Sequence, residues 1–339
     1  MAQQPTPWSS QHARGGELEL IRSVQGRSQH HGRSVTLGIG DDCAILQPPA
    51  GHELLVTTDM SLETRHFLRE VHPARSVGHR CLARGLSDLA AMGAKPLAAF
   101  LSLALPAGMR RNARGRAWVD GFLDGLLALA HVTGTTLAGG DTAAAPGEQV
   151  IADIVLTGSA PQDTSLRRSG ARAGDLLYVT GALGGAAAEL AALQKYPRQF
   201  RDAGAAGDHP HLFPQPRLRT GWVLRSRKLA AAAIDVSDGL STDLHHLCSA
   251  SGVGAVVRAA ALPVHPLARD EKDDGLALAL HGGEDYELLF AARPSVRMPK
   301  RAGGVPVHCI GRLTRAKDIL LQRDGRTEPL PAAGWEHAL

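Results

Sequence analysis

The sequence predicts a two-domain globular protein that contains both helices and strands. Its 339 residues are enough for two domains of ordinary size. Hydrophobic residues make up 44% and charged residues 21%, which is the composition of a folded globular chain. Helical and strand patterns occur on both sides of a polar stretch at residues 161–174, which we interpret as a linker. We therefore expect domains at residues 16–160 and 161–339, preceded by a flexible tail at residues 1–15.

Charge and cysteine usage argue against several classes of function. The formal net charge is +4 and the arginines are not interleaved with aromatic residues, so nucleic acid is not an expected partner. The cysteines lie far apart, at Cys43, Cys81, Cys248 and Cys309, which disfavours a zinc site or a redox dithiol. Free thiols are typical of the reducing cytoplasm. No apolar run predicts a membrane span, and the first residues lack the apolar core of a signal peptide.

The first half alternates between strand and helix patterns. A short helix is expected to open at residue 16. The β-branched run at residues 54–58 predicts a strand that ends in Asp59. The other elements expected here are helices at residues 73–94 and 113–131 and strands at residues 98–105, 136–138 and 150–158.

The second half repeats this alternation after the linker. The polar stretch at residues 197–216 contains several prolines and predicts a loop. A helix is expected after residue 236, with Ser237 or Asp238 as its N-cap. The other expected elements are helices at residues 185–193 and 218–229 and strands at residues 175–181, 231–236, 253–257, 288–290 and 305–310, the last being the final clear strand.

Carboxylates recur in one sequence context, and most of them sit beside glycine or serine at the ends of apolar strands. Each taken singly is also explained as a solvated turn aspartate. Together they predict a cluster of oxygen ligands for Mg²⁺, because so many acids converging would repel one another without cations. At residues 38–44, Asp42 is the expected ligand and Asp41 is expected to shape the turn. The full set is Asp42, Asp59, Asp88, Asp141, Asp235, Asp238 and Glu284.

The common nucleotide-binding motifs are absent from the sequence. There is no G-x-x-x-x-G-K-[ST] loop, no protein-kinase signature set and no complete G-x-G-x-x-G. The paired histidines at residues 30–31 and 245–246 lack metal-ligand spacing and are expected at the surface. A nucleotide would therefore be held through metals, backbone glycines and scattered basic residues.

Eight stretches taken together resemble the thiamine-monophosphate kinase family, within the superfamily that includes aminoimidazole ribonucleotide synthetase. They follow the family's order and span roughly residues 16–337. The last two stretches are the most specific to the kinase. The eight are residues 38–44 (Gly-Ile-Gly-Asp-Asp-Cys-Ala), 57–59 (Thr-Thr-Asp), 66–68 (His-Phe-Leu), 86–93 (Leu-Ser-Asp-Leu-Ala-Ala-Met-Gly), 139–142 (Gly-Gly-Asp-Thr), 168–171 (Arg-Ser-Gly-Ala), 234–240 (Ile-Asp-Val-Ser-Asp-Gly-Leu) and 282–287 (Gly-Gly-Glu-Asp-Tyr-Glu).

The resemblance implies an α+β fold of the aminoimidazole ribonucleotide synthetase-like type. It implies a homodimer in which N-terminal sheets pair, with a sandwich-like C-terminal domain. The implied Mg²⁺ ligands are Asp42, Thr57, Thr58, Asp59, Asp88, Asp141, Asp235 and Asp238, of which Asp42, Asp88 and Asp235 are expected to act in catalysis. The implied ATP contacts are Gly140, Asp141, Arg168 and Ser237, and the implied contacts to thiamine monophosphate are His66, Glu284 and Trp335.

Two positions depart from the family pattern. Gly85 stands where asparagine is expected before Leu-Ser-Asp, so a side-chain contact is missing there. Between Asp59 and His66, Thr64 stands where glycine is expected, which bears on the pose of the substrate.

The implied reaction is the phosphorylation of thiamine monophosphate by ATP, the final step of thiamine diphosphate biosynthesis. The acceptor is itself a phosphate with a second pKa of about 6, so it is largely an anion at neutral pH. Direct in-line transfer of the γ-phosphoryl group then needs no general base. Several Mg²⁺ ions would neutralise the two anions.

Two other functions remain open from the residues. One is a related ATP-dependent synthetase that acts on a ribonucleotide amide. The other is a non-enzymatic nucleotide-binding or maturation factor. The relative that serves hydrogenase maturation ends in a reactive cysteine, whereas this chain ends in Leu339 and its last cysteine is Cys309.

Overall fold

The fold is seen in a computed structural model of the chain, which describes residues 16–28, 33–269 and 275–335. The expected tail at residues 1–15, the histidines at residues 30–31 and Leu339 lie outside the described residues. Within those ranges no helix is both long and apolar enough to cross a membrane.

The N-terminal half is one layer of sheet covered by helices. Its elements are α1 (Glu17–Arg27), β1 (Val35–Leu37), β2 (Ile45–Leu46), β3 (His52–Leu62), α2 (Ala74–Ala91), β4 (Lys95–Leu105), α3 (Ala113–Thr133), β5 (Thr136–Ala144) and β6 (Ile151–Pro161). The strand order is β3-β6-β4-β5, with β4 and β5 parallel and the other pairs antiparallel. Leucines of α2 and α3 form the core against the inner face of this sheet, and β1 pairs with β2 as a separate ribbon.

The C-terminal half is built on a larger mixed sheet. Its elements are β7 (Leu176–Thr180), α4 (Gly185–Lys195), α5 (Leu218–Ser226), β8 (Ala232–Val236), α6 (Leu240–Ser251), β9 (Gly254–Arg258), α7 (Leu276–His281), β10 (Glu287–Ala292), β11 (Arg301–Ala302), β12 (Val305–Thr314), β13 (Ile319–Arg323) and β14 (Arg326–Pro329). The strand order is β14-β13-β9-β12-β7-β10-β8, and β11 pairs with β12. α6 and α7 pack on one face, and α5 packs on the other.

Helix α2 lies between the two sheets and joins the two halves. Leu82 and Leu86 pack in the N-terminal core, whereas Ala90 packs with residues of α5 and the C-terminal sheet. Close approach on several sides leaves little room for side chains. A Cβ on Gly78 would stand 1.8 Å from the Phe122 carbonyl oxygen. The position of α2 therefore determines how the two halves face each other.

Three sequence-based predictions of local structure are wrong. Asp59 and Asp141 lie inside β3 and β5 and do not end their strands, because sheet pairing extends each strand beyond its apolar run. Two further strands, β13 and β14, follow the one expected to be last. Gly239, with φ of 107°, occupies the N-cap of α6, the position expected for Ser237 or Asp238.

Candidate active site

A cleft of about 470 Å³ lies between the two halves of the chain. The N-terminal half contributes Asp59 of β3, the loop before α2, and one face of α2. The C-terminal half contributes α4, the end of β8 and the loop at residues 282–286, and Trp335 closes the rim. The cleft therefore exists only when both halves are folded together.

One face of α2 carries charge at helical spacing. Arg80, Arg84 and Asp88 are four residues apart, so their side chains stand above one another on the same side of the helix. Arg84 and Asp88 line the cleft. The neighbouring positions Leu82, Leu86 and Leu89 are buried. The helix therefore has an apolar face as well as a charged one, although almost all of its residues are packed against other elements.

Three carboxylates from both halves approach one another at one end of this face. Burial and the charge of Asp88 raise the pKa of Asp235 to about 7, and burial raises the pKa of Asp88. Burial also raises the pKa of Asp59 to about 6, with Arg84 opposing the rise and Asp88 adding to it. The carboxylates thus repel one another at neutral pH, and a divalent cation would relieve that repulsion.

Hydroxyl groups hold two of these carboxylates. Ser87 Oγ donates to Asp235 Oδ2 at 2.7 Å, and Thr57 Oγ1 donates to Asp88 Oδ2. In the described residues no group of three His, Cys, Asp or Glu side chains is arranged to bind a metal ion. Mg²⁺ takes one or two protein carboxylates and completes its shell with water and phosphate, so these acids still suit it.

Asp243, a residue that sequence reasoning missed, organises the loop after β8. Its buried carboxylate accepts hydrogen bonds from the backbone N–H groups of Ser237 at 3.0 Å and Asp238 at 3.1 Å. Burial and the charges of Asp235 and Asp238 raise the pKa of Asp243 to about 8. This carboxylate lies one turn inside α6 and satisfies backbone N–H groups of the loop that precedes the helix.

Glu284 is fixed by a guanidinium that reaches across the cleft. Arg80 Nη2 donates to both Glu284 oxygens, at 2.6 and 2.7 Å, and Arg80 Nη1 donates to the His66 carbonyl at 2.9 Å. Burial alone raises the pKa of Glu284, but Arg80 and His211 more than offset it and hold that pKa well below its usual range. Glu284 and Tyr286 have φ of 66° and 50°, so the loop is strained at the site.

Two histidines extend this network away from Glu284. His211 Nδ1 lies 3.0 Å from Glu284 Oε2, and its Nε2 lies 3.1 Å from His72 Nε2. Burial lowers the pKa of both imidazoles, to about 3 for His72, so both are neutral. His72 Nδ1 accepts from the Leu68 N–H at 3.2 Å. Although His211 Nδ1 is close to Glu284 Oε2, it makes no hydrogen bond of acceptable geometry within the described part of the chain.

Asp42, Gly140 and Asp141 do not reach this cleft. They line a second cavity of about 650 Å³, between α1 and the β5 edge of the N-terminal sheet. Asp41 Oδ1 accepts from the Asp42 N–H at 2.8 Å, which agrees with its expected role in the turn. Asp141 Oδ1 accepts from the Thr142 N–H at 2.8 Å in the same way.

The register of the sheet shows how far apart the predicted metal ligands lie. Asp59 pairs with Ile154, which pairs through Leu101 with Gly140, so three strand spacings separate β3 from β5 at this level. That is about 14 Å, too far for one ion to bridge Asp59 and Asp141. Thr58 alternates with Asp59 and points to the outer face of the sheet, where its hydroxyl donates to Asp153 Oδ1 at 2.9 Å.

The remaining predicted contacts lie around the cleft. They include His66, Ser237, Asp238 and Trp335, and the backbone N–H of Trp335 donates to the Asp238 carbonyl at 2.9 Å. Arg168 is exposed. Burial raises the pKa of Asp88 and of Asp235, and the positive charge of Arg168 opposes the rise of both pKa values.

Sequence reasoning missed Arg80, Arg84, His72, His211 and Asp243. The two arginines had a usable signal, because their spacing continues to Asp88 on a mostly apolar helix. The histidines had none. His211 lies in the segment expected to be a loop, and only the packing of that segment on the N-terminal half brings it to Glu284.

Comparisons with known proteins agree with this geometry. Residues 40–160 match the family AIR synthase related protein, N-terminal domain, and residues 172–319 match the corresponding C-terminal domain family. The curated thiamine-monophosphate kinase of Escherichia coli (strain K12) is 40% identical over 332 residues, covering 95% of this chain and 98% of that protein. The chain belongs to the thiamine-monophosphate kinase family.

Solved structures give the same assignment. The crystal structure of thiamine-monophosphate kinase from Stenotrophomonas maltophilia K279a has a TM-score of 0.77 at 35% identity, covering 93% of this chain and 97% of that one. The structure of AaThiL complexed with AMPPCP and TMP has a TM-score of 0.74 at 26% identity, covering 98% of this chain and 100% of that one. Membership of the family, the synthetase-like two-domain fold and the assignment as a thiamine-phosphate kinase are thereby confirmed. The roles of individual site residues stay predictions.

Proposed function

We propose that this chain transfers the γ-phosphoryl group of ATP to the phosphate of thiamine monophosphate, forming thiamine diphosphate and ADP. The observation that carries the proposal is the meeting of Asp88 and Asp235, from different halves of the chain, beside the Arg80–Glu284 pair in one cleft. A family member complexed with AMPPCP and TMP supports the choice of both substrates. The family relatives also favour a kinase over a synthetase or a maturation factor.

Mg²⁺ is the proposed metal, held in the cleft by Asp59, Asp88, Asp235 and Asp238. Bound Mg²⁺ supplies charge neutralisation for the two phosphate anions. The raised pKa values of the first three acids fit such a role, because an ion would restore their charged forms. The separation of about 14 Å between the Asp59 and Asp141 positions supports more than one ion.

The organic part of thiamine monophosphate is proposed to lie between His66, Glu284 and Trp335. An ionised Glu284 offers two acceptor oxygens and a negative charge to a nitrogenous cation. Trp335 has 51% of its surface exposed at the rim, where an indole face is available to stack on a thiazolium ring.

The chemical step is proposed to be direct in-line transfer without a general base. The acceptor phosphate is largely dianionic at neutral pH, since its second pKa is about 6. His72 and His211 are neutral and hydrogen bonded away from Asp88 and Asp235, in keeping with a reaction in which neither takes a proton. The catalytic requirement is then the placement of two anions, to which Asp42, Asp88 and Asp235 are proposed to contribute.

ATP is proposed to contact Ser237 and Arg168 near the cleft and Gly140 and Asp141 at the second cavity. Gly140 has φ of 149°, and a Cβ there would stand 1.9 Å from the Leu101 carbonyl oxygen. Glycine is therefore required by the strand itself, whether or not a nucleotide lies against it. Asp42 lines the same cavity and keeps its proposed role as a metal ligand there.

A homodimer is proposed to form through the outer face of the N-terminal sheet. Leu54, Val56 and Met60 alternate along β3 on that face and are 48%, 63% and 51% exposed. A row of apolar side chains on an uncovered sheet face favours contact with a second copy. The cytoplasm stays the proposed location, on the grounds of the free cysteines.

The test is ADP release measured with thiamine monophosphate, thiamine and aminoimidazole precursors side by side. We expect turnover with thiamine monophosphate and none with the other acceptors. Asp88→Asn and Asp235→Asn should lower kcat by at least a hundredfold while the protein stays folded, because each removes a charge on which metal binding depends. Asp120→Asn is the matched control, since Asp120 is 56% exposed on α3. Turnover with an aminoimidazole precursor alone would overturn the proposal.

A further inference from the structure

The charged face of α2 sets an order of chemical groups along the cleft. A helix rises about 1.5 Å per residue, so Arg80, Arg84 and Asp88 are spaced at about 6 Å intervals. At one end Arg80 holds Glu284 and the His66 carbonyl, where the organic part of the substrate is proposed to bind. At the other end Asp88 meets Asp235, where the metal and the γ-phosphate are proposed to lie. Arg84 stands between the two.

Arg84 is held loosely in comparison with Arg80. Its Nε is 3.6 Å from Asp59 Oδ1 and its Nη1 is 3.9 Å from Glu284 Oε1, both beyond hydrogen-bond distance. Its Nε is buried and has no hydrogen-bond partner among the residues that the structure describes. The side chain is 17% exposed and lines the cleft. The Nε of Arg80 also lacks a partner among these residues, but Arg80 Nη2 donates to both Glu284 oxygens and its Nη1 donates to the His66 carbonyl.

A buried guanidinium with an unmatched Nε favours an anion that brings several oxygens. Its planar fork fits two oxygens of a phosphate group. Leaving that donor unmatched carries the desolvation penalty of a buried polar group. Asp59 and Glu284 both attract the guanidinium, and at these distances neither accepts a hydrogen bond from the nitrogen nearest to it.

We propose that Arg84 binds the phosphate of the acceptor, thiamine monophosphate. This rests on the proposed function and extends it to the direction of the substrate. The organic part then lies toward Arg80 and Glu284, and the phosphate lies at Arg84, facing the ion and the γ-phosphate beside Asp88. Arg84 contacts the non-bridging oxygens of the acceptor and helps two anions approach. The competing explanation is that Arg84 only neutralises Asp59 and Glu284.

Binding of thiamine monophosphate and of thiamine, measured by calorimetry with Mg²⁺ present and no ATP, separates these explanations. The two ligands differ only in the phosphate. If Arg84 binds it, Arg84→Gln should reduce the ratio of the two affinities by a factor on the order of ten or more, with thiamine affinity changed less than twofold. Arg84→Lys should restore part of the ratio. Because both ligands are measured on one preparation, the ratio does not depend on the fraction of folded protein.

Arg217→Lys is the matched structural control. Arg217 makes a two-nitrogen fork to the buried Glu287, with Nε–Oε2 at 2.8 Å and Nη2–Oε1 at 2.5 Å, and neither residue lines the cleft. This variant should leave the affinity ratio unchanged.

An unchanged ratio of the two affinities in Arg84→Gln, including the case in which both affinities fall equally, would overturn the inference and support charge neutralisation. The wild-type protein distinguishes failure of the proposed function. If it releases ADP with thiamine monophosphate and the ratio is unaffected by Arg84→Gln, only the role of Arg84 fails. If it neither binds thiamine monophosphate nor releases ADP, both proposals fail.

Discussion

Ser87 Oγ donates a hydrogen bond of 2.7 Å to Asp235 Oδ2, and this contact joins α2 of the N-terminal half to β8 of the C-terminal half. Both residues are buried, at 0% and 4% exposure. The hydroxyl satisfies one oxygen of a carboxylate that has been taken out of water. It also places that carboxylate beside Asp88, one residue further along the same helix. The spacing of the two acids therefore depends on the packing between the halves.

Burial of these acids predicts that their ionised forms, which metal binding needs, destabilise the folded protein. Asp235 has a folded pKa of about 7 against an ordinary value of 3.8. A carboxyl group with a raised folded pKa contributes its full stability below the ordinary value, and that contribution is lost as the pH rises through about 7. Without divalent cations, the contribution of Asp235 to the melting temperature should therefore be lost between about pH 4 and pH 8, whereas neutral His72, whose pKa is lowered to about 3, contributes in the opposite direction.

Asp235→Asn should remove part of that loss, because the amide cannot ionise. At pH 8 in EDTA we expect the variant to be more stable than the wild type, by on the order of 1 kcal/mol. Added Mg²⁺ should stabilise the wild type and have a weaker effect on the variant. Melting curves across pH, with Asp120→Asn as the exposed control, check this. A variant less stable than the wild type at pH 8 would contradict it.

Thr64 has φ of 73°, a conformation that a β-branched residue rarely adopts. Its N–H donates to the Phe67 carbonyl at 2.8 Å, which closes the turn ahead of α2. Relief of the strain exceeds the entropy that glycine loses on folding, so Thr64→Gly should stabilise the protein by about 0.5 kcal/mol. Thr327→Gly, on the exposed strand β14, should destabilise it by about 0.5–1 kcal/mol. Urea unfolding of both variants measures the sign of each change in the free energy of unfolding. A loss of stability in Thr64→Gly would refute the strain argument.

The outer face of β3 predicts the assembly state. The wild type should have the mass of two chains by light scattering. Val56→Asp places a charge at a position that is 63% exposed in the single chain and should yield a single-chain mass. Val132→Asp, on α3 and 81% exposed, is the control and should leave the mass unchanged. A single-chain wild type, or an unchanged mass in Val56→Asp, would rule out this face.

The glycines of α2 predict how tightly the helix is packed. A Cβ on Gly78 would stand 1.8 Å from the Phe122 carbonyl oxygen, which is backbone and does not move aside, so Gly78→Ala should lose about 3 kcal/mol. At Gly85 the Cβ would stand 2.3 Å from Leu156 Cδ1, a side-chain atom that can rotate. Gly85→Ala should therefore lose only about 1 kcal/mol. Gly26→Ala, with nothing within 4 Å, should lose nothing. Equal losses at Gly78 and Gly85 would show that rotation of Leu156 gives no relief.

The departures from the family pattern acquire a physical meaning in the structure. Gly85 faces the N-terminal sheet, where the Leu156 side chain fills the space that an asparagine would need. The side chain that enters the cleft is instead that of Arg84, one residue earlier. Local spacing placed Arg84 on the same helical face as Asp88, yet it did not show which face of α2 borders the cleft.

The sequence by itself determined the family, the fold class and the identity of the acidic residues, because glycine–carboxylate motifs and apolar periodicity are local properties of the chain. Tertiary structure decided which of those acids lie together in the cleft and which lie at the second cavity. Asp59 and Asp141 lie on opposite edge strands of one sheet, whereas Asp88 and Asp235 meet because α2 is packed between two sheets. His211 reaches Glu284 by the same long-range packing. A residue's spacing fixes its direction relative to its own helix or strand, but the element that it faces depends on contacts between residues distant in the chain.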